Sequence, residues 1–239
     1  MIPLRDDNPT ARKPLLAITL IAVNVLVFLY QVSLSPRAGE LFVYQFGAIP
    51  AVVFSNQRLP VQVEVIPPVL SLFSSMFLHG GWMHLIGNMW YLWIFGDNIE
   101  DAMGRARFLA FYLVTGLAAS AAHALSDPAS QIPTIGASGA ISGVLGAYFM
   151  LYPHARILVL IPLGFFTRLI YVPAIVALGF WFLFQLLSGA VSSAQGGGVA
   201  WWAHIGGFVA GMLLVGLFKR REVHYFNPRR PHYDDGDRW

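Results

Sequence analysis

Long apolar segments separated by short polar ones run through most of this sequence. Six of them stand out: Leu15–Val32, Gly81–Phe95, Phe108–Leu125, Ile135–Leu151, Ile170–Leu187 and Val199–Phe218. About 20 consecutive apolar residues cross a bilayer core as a helix, so each segment predicts a membrane-spanning helix, the second and fourth being short. The pattern therefore predicts an all-α, polytopic membrane protein with six transmembrane helices in one bundle.

The polar stretches between these segments are too short to form a separate soluble domain. We expect a tail over residues 1–13, a membrane domain over residues 14–218 and a tail over residues 219–239. The first span is too long for a signal-peptide core and lacks a small-residue cleavage pattern, so we expect it to be retained. The long loop from Leu34 to Leu78 contains apolar stretches that favour the membrane interface, and the polar carboxyl-terminal tail favours disorder.

Composition supports the membrane interpretation. The chain is 56% hydrophobic and 11% charged, whereas an ordinary soluble domain has about 25% charged residues. It contains no cysteine, which excludes disulfides, thiolate metal sites and a cysteine nucleophile. The net charge of +3 does not indicate nucleic-acid binding, because the basic residues lie at membrane edges and in the tail.

The positions of Lys and Arg predict the orientation of the chain. All of them except Arg37 and Arg58 fall in the amino-terminal tail, in the loops after the second and fourth spans, or in the carboxyl-terminal tail. With six spans these regions share one face, and the positive-inside rule makes that face cytoplasmic. We therefore expect a multi-pass protein of the cell (inner) membrane with both termini in the cytoplasm.

Four polar side chains within the spans lie at similar depths. Ser138 and His204 each lie 15 residues before the predicted inner end of their span, or roughly 22 Å above it at 1.5 Å per residue. His84 and Asn88 lie roughly 18 and 12 Å up by the same rule and share one helix face. The arithmetic predicts that these four side chains meet in the outer half of the membrane.

Small residues would let the helices that carry them approach closely. Gly139, Gly143 and Gly146 follow Ser138, while Gly207 and Gly211 share a face with His204. Such stripes allow close backbone contact between membrane helices. Simple glycine packing with incidental polar groups is the alternative, but histidine inside a membrane is costly and is more often functional.

These side chains suit one class of reaction. Serine attacks a carbonyl when a base takes its proton, and histidine is the usual base near neutral pH. His84, Asn88 and the backbone N–H of Ser138 can donate to an oxyanion, and the turn at Gly136–Gly139 exposes that N–H. The carboxylates fall in predicted loops, so we expect a Ser138–His204 dyad rather than a triad.

Other intramembrane chemistries lack the residues they need. The zinc-protease sequence His-Glu-x-x-His is absent, and no predicted span contains the two carboxylates of an aspartyl protease. His79, His84 and His204 have no acidic or thiolate companion, so we expect no metal and no cofactor. Ser142 is a rival nucleophile one turn deeper, but it has no Gly-x turn before it.

With these residues assembled, the chain resembles the rhomboid intramembrane serine proteases of the six-span bacterial type. The resemblance covers about Leu70 to Phe218 and is carried by His79-Gly80-Gly81-Trp82-Met83-His84-Leu85-Ile86-Gly87-Asn88, Gly136-Ala137-Ser138-Gly139 and Ala203-His204-Ile205-Gly206-Gly207 with Gly211. The segment from Gly96 to Arg105 also resembles the family's turn after the second span. The resemblance implies that Ser138 is the nucleophile, that His204 is the base, and that His84 and Asn88 support the oxyanion.

Two positions depart from the family pattern. Val69-Leu70-Ser71 stands where some members have a Trp-Arg pair, which affects the details of the first loop. Ser142 replaces a tyrosine that packs against the catalytic histidine in some members. Its hydroxyl either leaves His204 less supported or supplies a hydrogen bond instead.

The function implied is an intramembrane serine endopeptidase that acts on transmembrane segments of membrane-protein substrates. The lipid bilayer is its other partner, and no nucleic acid is expected. One alternative is a catalytically silent relative that binds membrane clients, but such a protein is expected to lack the serine or the histidine. The other is a small transporter or channel, which is expected to have inverted repeats or a polar stripe through the whole membrane.

Overall fold

The computed structural model describes residues 1–55, 57–61, 63–163, 166–192 and 199–226, and these residues are mostly helical. The helices are α1 (Leu15–Ser33), α2 (Pro36–Phe46), α3 (Pro50–Phe54), α4 (Pro68–Ser74), α5 (Trp82–Met103), α6 (Arg105–Ser126), α7 (Ser138–Leu151), α8 (Ala174–Ser192) and α9 (Trp201–Phe218). A short 3-10 helix, Ser75–Phe77, follows α4. The strands are β1 (Ile2–Asp6), β2 (Arg156–Leu163) and β3 (Phe166–Pro173).

Several of these helices are long and apolar enough to cross a membrane. Helices α1, α6, α8 and α9 qualify individually, and α5 with the helical segment before it forms a fifth candidate, bent by 82°. Helix α7 is apolar but has only 14 residues, about 21 Å against a hydrocarbon core about 30 Å thick. The predicted helical, multi-pass architecture is confirmed, and the count of six spans depends on this short helix.

Helices α7 and α9 pack against each other through glycine. A methyl group on Gly207 would overlap the carbonyl oxygen of Gly139, and one on Gly211 would overlap that of Gly143. Helix α7 is buried along nearly its whole length. The two glycine stripes therefore bring the backbones of the helices that begin near Ser138 and His204 into direct contact.

The second span is longer than the sequence predicted, and this corrects the assignment of three carboxylates to a loop. Helix α5 continues to Met103, so that Asp97, Glu100 and Asp101 lie in its last two turns. The buried Glu100 carboxylate accepts hydrogen bonds from the backbone N–H groups of Leu16 (3.1 Å) and Ala17 (2.8 Å) at the start of α1. A carboxylate is favourable at a helix amino terminus, and this contact holds the charged end of α5 in the fold.

A small sheet was not predicted. Its strands are antiparallel in the order β1-β2-β3, so residues 1–13, expected to be a tail, contain a paired strand. The fifth span was predicted to begin at Ile170, but the backbone there is strand β3 and the helix begins at Ala174. Asp7 binds the Arg156 guanidinium (3.0 Å) and fixes the amino-terminal segment to β2.

The sheet and the segment after α9 lie at the same end of the bundle. The backbone N–H of Arg220 donates to the carbonyl of Ala102 near the end of α5, at 2.9 Å, and that of Phe226 donates to Met150 near the end of α7, at 3.0 Å. The segments rich in Lys and Arg thus converge, as a six-span topology requires. The tail predicted to be disordered is structured over residues 219–226, and its remainder, residues 227–239, lies outside the described residues.

Candidate active site

Ser138 and His204 meet at the end of the bundle opposite the sheet. Ser138 is the first residue of α7, and His204 lies in the first turn of α9. The Ser138 Oγ lies 2.9 Å from His204 Nε2, within hydrogen-bond distance. The residue counts along the two spans predict this proximity. The prediction holds because both helices are regular and contact each other through glycine.

The other ring nitrogen of His204 contacts a residue that the sequence analysis missed. His204 Nδ1 lies 2.8 Å from the side-chain oxygen Oε1 of Gln185 on α8, and Gln185 is buried. The rings of Trp181 and Trp201 both lie beside the imidazole, with centroids 6.1 and 6.2 Å away. The available signal was an amide side chain inside an otherwise apolar membrane helix, where polar groups are expensive.

Gly136 forms the turn before Ser138 and has a backbone conformation that favours glycine. Its φ is +124°, and its N–H donates to the carbonyl of Ser75 at 2.8 Å. A Cβ at this position would lie 2.7 Å from His84 Nε2 and 3.7 Å from Asn88 Nδ2. The absence of a side chain at Gly136 therefore leaves the space into which these two nitrogens point, two residues from the Ser138 hydroxyl.

Both nitrogens are available as hydrogen-bond donors. The N–H of Gly80 donates to His84 Nδ1 at 3.3 Å, so the ring proton of a neutral His84 lies on Nε2, facing Gly136. Asn88 is buried, and its Nδ2 has no hydrogen-bond partner among the described residues. The backbone N–H of Ser138 adds a third donor, because N–H groups in the first turn of a helix have no partner within that helix.

The two remaining candidates, Ser142 and His79, are placed differently. Ser142 is buried, and its hydroxyl donates to the carbonyl of Ser138 at 2.7 Å rather than to His204. Ser142 therefore does not contact His204 as the tyrosine of some family members contacts the catalytic histidine. The rings of Trp181 and Trp201 lie beside the imidazole instead. His79 is buried with its ring edge-on to His84 at 5.1 Å, which is a packing contact.

A cavity of about 980 Å³ joins these groups. It is lined by His84, Asn88, Ser138 and His204, and it extends to Asp127 and Ser130 in the connection after α6. Its lining ends on the α7 side at Leu145 and does not reach the sheet. The polar groups thus line a cavity at the end of the bundle opposite the sheet.

The arrangement matches a known family. The sequence profile of the Rhomboid domain matches residues 67–221, which is more than half of the chain and includes all four candidate residues. The chain belongs to the rhomboid family. Within this rhomboid domain, α5, α7 and α9 carry the candidate residues, and α1 with strand β1 lies before the matched region.

The curated relatives of this rhomboid include a bacterial protein and proteins whose names call them mitochondrial. It is 29% identical over 208 residues to Rhomboid protein 1, mitochondrial, of Saccharomyces cerevisiae, an alignment that covers 79% of this chain and 56% of the yeast protein. It is 36% identical over 158 residues to Rhomboid protease GluP of Bacillus subtilis, covering 66% of this chain and 28% of that protein. It is 32% identical over 163 residues to the human presenilin-associated rhomboid-like protein, mitochondrial, covering 66% and 39%. The chain therefore spans less than two thirds of the length of each of these relatives.

Proposed function

We propose that this rhomboid is an intramembrane serine endopeptidase in which Ser138 is the nucleophile and His204 is the base. The observation that carries the proposal is the 2.9 Å contact between Ser138 Oγ and His204 Nε2 beside two side-chain donors. A nucleophile, a base and an oxyanion site within one water-accessible recess are the three parts that acyl transfer needs. The name of the B. subtilis relative, a rhomboid protease, supports the same reaction class.

The proposed reaction proceeds through an acyl-enzyme. Ser138 Oγ bonds to the carbonyl carbon of the scissile peptide while its proton passes to His204 Nε2. His84, Asn88 and the Ser138 N–H donate to the oxygen that becomes negative. The C–N bond then breaks as His204 returns the proton to the leaving amine, and a water molecule hydrolyses the ester by the same steps.

The position of the cavity, combined with the predicted orientation, supports a proposed substrate class and place of cleavage. The substrate is a transmembrane segment of another membrane protein, reaching the recess from the bilayer. With both termini in the cytoplasm and the protein in the cell (inner) membrane, the recess faces the outer half of the membrane, and cleavage occurs near the outer end of the substrate helix. The chemistry uses no metal and no cofactor.

The test is the loss of a single hydroxyl. Ser138→Ala should abolish cleavage of a membrane-anchored reporter and labelling by a fluorophosphonate probe, with folding intact. Ser142→Ala is the matched control and should keep the label, because its hydroxyl bonds to a backbone carbonyl. Labelling of Ser138→Ala would overturn the nucleophile assignment, and a wild-type protein that neither cleaves nor labels would favour the silent, client-binding alternative.

A further inference from the structure

A third polar side chain completes the hydrogen-bond chain that begins at Ser138. Gln185 lies on α8, is only 4% exposed, and places Oε1 2.8 Å from His204 Nδ1. The order Ser138–His204–Gln185 has the geometry of a serine-protease triad, with a neutral amide where those enzymes have a carboxylate. Among the carboxylates of α5, Asp97 is the nearest to Asn88, and it lies nine residues farther along the helix, or about 14 Å.

The second hydrogen bond of Gln185 determines which way its amide points. Gln185 Nε2 donates to the carbonyl oxygen of Trp181, one turn earlier in α8, at 3.3 Å. Rotating the amide by 180° would place its oxygen against that carbonyl, and two acceptors repel. The Trp181 carbonyl thus holds the Gln185 oxygen toward His204.

This orientation determines the tautomer of His204. An amide oxygen only accepts, so the contact requires the imidazole proton on Nδ1. Nε2 then carries the lone pair and faces the Ser138 hydroxyl at 2.9 Å, as a base must. With the opposite tautomer, Nε2–H would point at the hydroxyl and could not take its proton.

We propose that Gln185 is a positioning residue that keeps the His204 ring in the tautomer and orientation needed to deprotonate Ser138. The proposal rests on the function proposed above and adds to it a residue outside the family motifs quoted in the sequence. A neutral acceptor suits this place, because an unpaired carboxylate inside a membrane carries a large desolvation cost. Gln185 orients the ring without that cost and without the full charge that would stabilise the imidazolium.

The surroundings of His204 make the role of Gln185 measurable. The titratable groups that act on His204 from neighbouring helices are His84 on α5 and His123 on α6. Helix α7 contributes Ser138, α8 contributes Gln185 and the Trp181 ring, and α9 contributes the Trp201 ring. A carboxylate introduced at position 185 would therefore place a negative charge beside the imidazole and leave His84 and His123 in place.

Two substitutions at position 185 separate positioning from packing. Gln185→Leu removes the acceptor at similar volume and should lower kcat by about 10- to 10³-fold with little change in KM; a wrong tautomer costs about 10⁴-fold in a charged triad. Gln185→Glu keeps an acceptor and should keep kcat within about tenfold of wild type. Its carboxylate favours the imidazolium, so the acid limb of the kcat/KM profile should move to higher pH.

The measurements use the whole chain described here, in detergent or vesicles, with a membrane-anchored reporter, pH profiles and thermal melting. Leu187→Ala, on the exposed side of α8, is the matched control and should leave kcat and the pH profile unchanged. Wild-type kcat in Gln185→Leu, or an unmoved acid limb in Gln185→Glu, would overturn the proposal. If Gln185→Leu does not fold, the acid limb of Gln185→Glu decides alone.

The two proposals fail in different ways. An inactive wild-type protein contradicts the protease function itself, and an active Ser138→Ala contradicts the assignment of the nucleophile. An active wild type whose position-185 variants behave like the Leu187→Ala control contradicts only the role of Gln185.

Discussion

At the residue scale, Gly136 lies both in the turn before Ser138 and next to the side chains of His84 and Asn88, the proposed oxyanion donors. A Cβ there would lie 2.7 Å from His84 Nε2, closer than real Cβ contacts come, and φ is +124°, which most residues avoid. The same missing side chain gives Asn88 Nδ2 an open space in front of it. Asn88 Nδ2 has no hydrogen-bond partner among the described residues, and a buried donor left unpaired costs free energy, which supports the proposal that it donates to the substrate oxygen.

Asn88 is therefore the residue on which to test the oxyanion site. Asn88→Ala should lower kcat by roughly 10²- to 10³-fold, the usual effect of removing one oxyanion donor. KM should change little, because the donor matters most when charge develops on the carbonyl oxygen. Asn88→Asp is the isosteric partner, and steady-state kinetics on the reporter should find it as slow as the alanine variant.

A different kinetic pattern would reassign the residue. If Asn88→Ala raised KM and left kcat unchanged, the side chain would be a substrate contact. If both variants melted well below wild type, its part would be in packing.

The sequence predicts most of the site, and the exception is informative. Ser138, His204, His84 and Asn88 were placed together by counting residues along helices, which works because an α-helix has a fixed rise. Gln185 was missed because α8 is apolar on all sides. Such a helix has no polar face from which its rotation about its own axis can be predicted, so nothing indicated that the amide faces His204.

At the element scale, the length of α7 sets the depth of Ser138 below the membrane surface. With 14 residues it covers about 21 Å, leaving roughly 9 Å of a hydrocarbon core about 30 Å thick above its first residue. Ser138 is that first residue, so the proposed nucleophile lies below the membrane surface, in the wall of the cavity.

The sheet was not predictable in the same way. The segment from Arg156 to Pro173 is an apolar run, and such a run fits either a buried strand or a piece of membrane helix. Its pairing with β1 also joins residues far apart in sequence, such as Ile2 and Leu160. Only the basic residues Arg156 and Arg168 marked the segment as lying outside the bilayer.

The sheet also gives the fold a predicted dependence on pH. Burial raises the pKa of the Asp6 carboxyl in β1 from 3.8 to about 6, although the hydrogen bond from the Tyr148 hydroxyl opposes the shift. Between these pH values the folded protein binds more protons than the unfolded one, so its stability falls as pH rises from about 4 to about 6. This rise in the pKa of Asp6 corresponds to a loss of at most about 3 kcal/mol in the free energy of unfolding.

Asp6→Asn removes the titration and keeps an acceptor for the Tyr148 hydroxyl. The variant should melt near the wild-type temperature at pH 4 and above it at pH 7, where the wild-type carboxylate is ionised in a buried position. Thermal melting in detergent at the two pH values measures the difference. If the difference in melting temperature between Asp6→Asn and wild type were the same at both pH values, burial would not raise the pKa of Asp6.

At the scale of the whole molecule, the two ends of the bundle differ in character. One end carries the sheet, the Asp7–Arg156 ion pair and the contacts of the segment after α9. The other carries the cavity with Ser138 and His204. The lining of the cavity stops short of the sheet, which suits the proposed hydrolase, with water entering from one side of the membrane, better than it suits a channel.

The orientation of these two ends decides on which side cleavage occurs, and it can be measured directly. Ala129 lies exposed in the turn after α6, at the end with the cavity, and His154 lies exposed in the turn after α7, at the end with the sheet. The chain has no native cysteine, so Ala129→Cys and His154→Cys each introduce a single thiol.

With both termini in the cytoplasm, Ala129→Cys should react with a membrane-impermeant maleimide in intact bacterial cells, because the basic segments hold the opposite end inside. His154→Cys should react only after the membrane is permeabilised. The reverse labelling would leave the geometry of Ser138 and His204 as it is but turn their recess toward the cytoplasm. Cleavage near the outer end of a substrate helix would then be impossible, and the proposed substrate site would move to the cytoplasmic half of the bilayer.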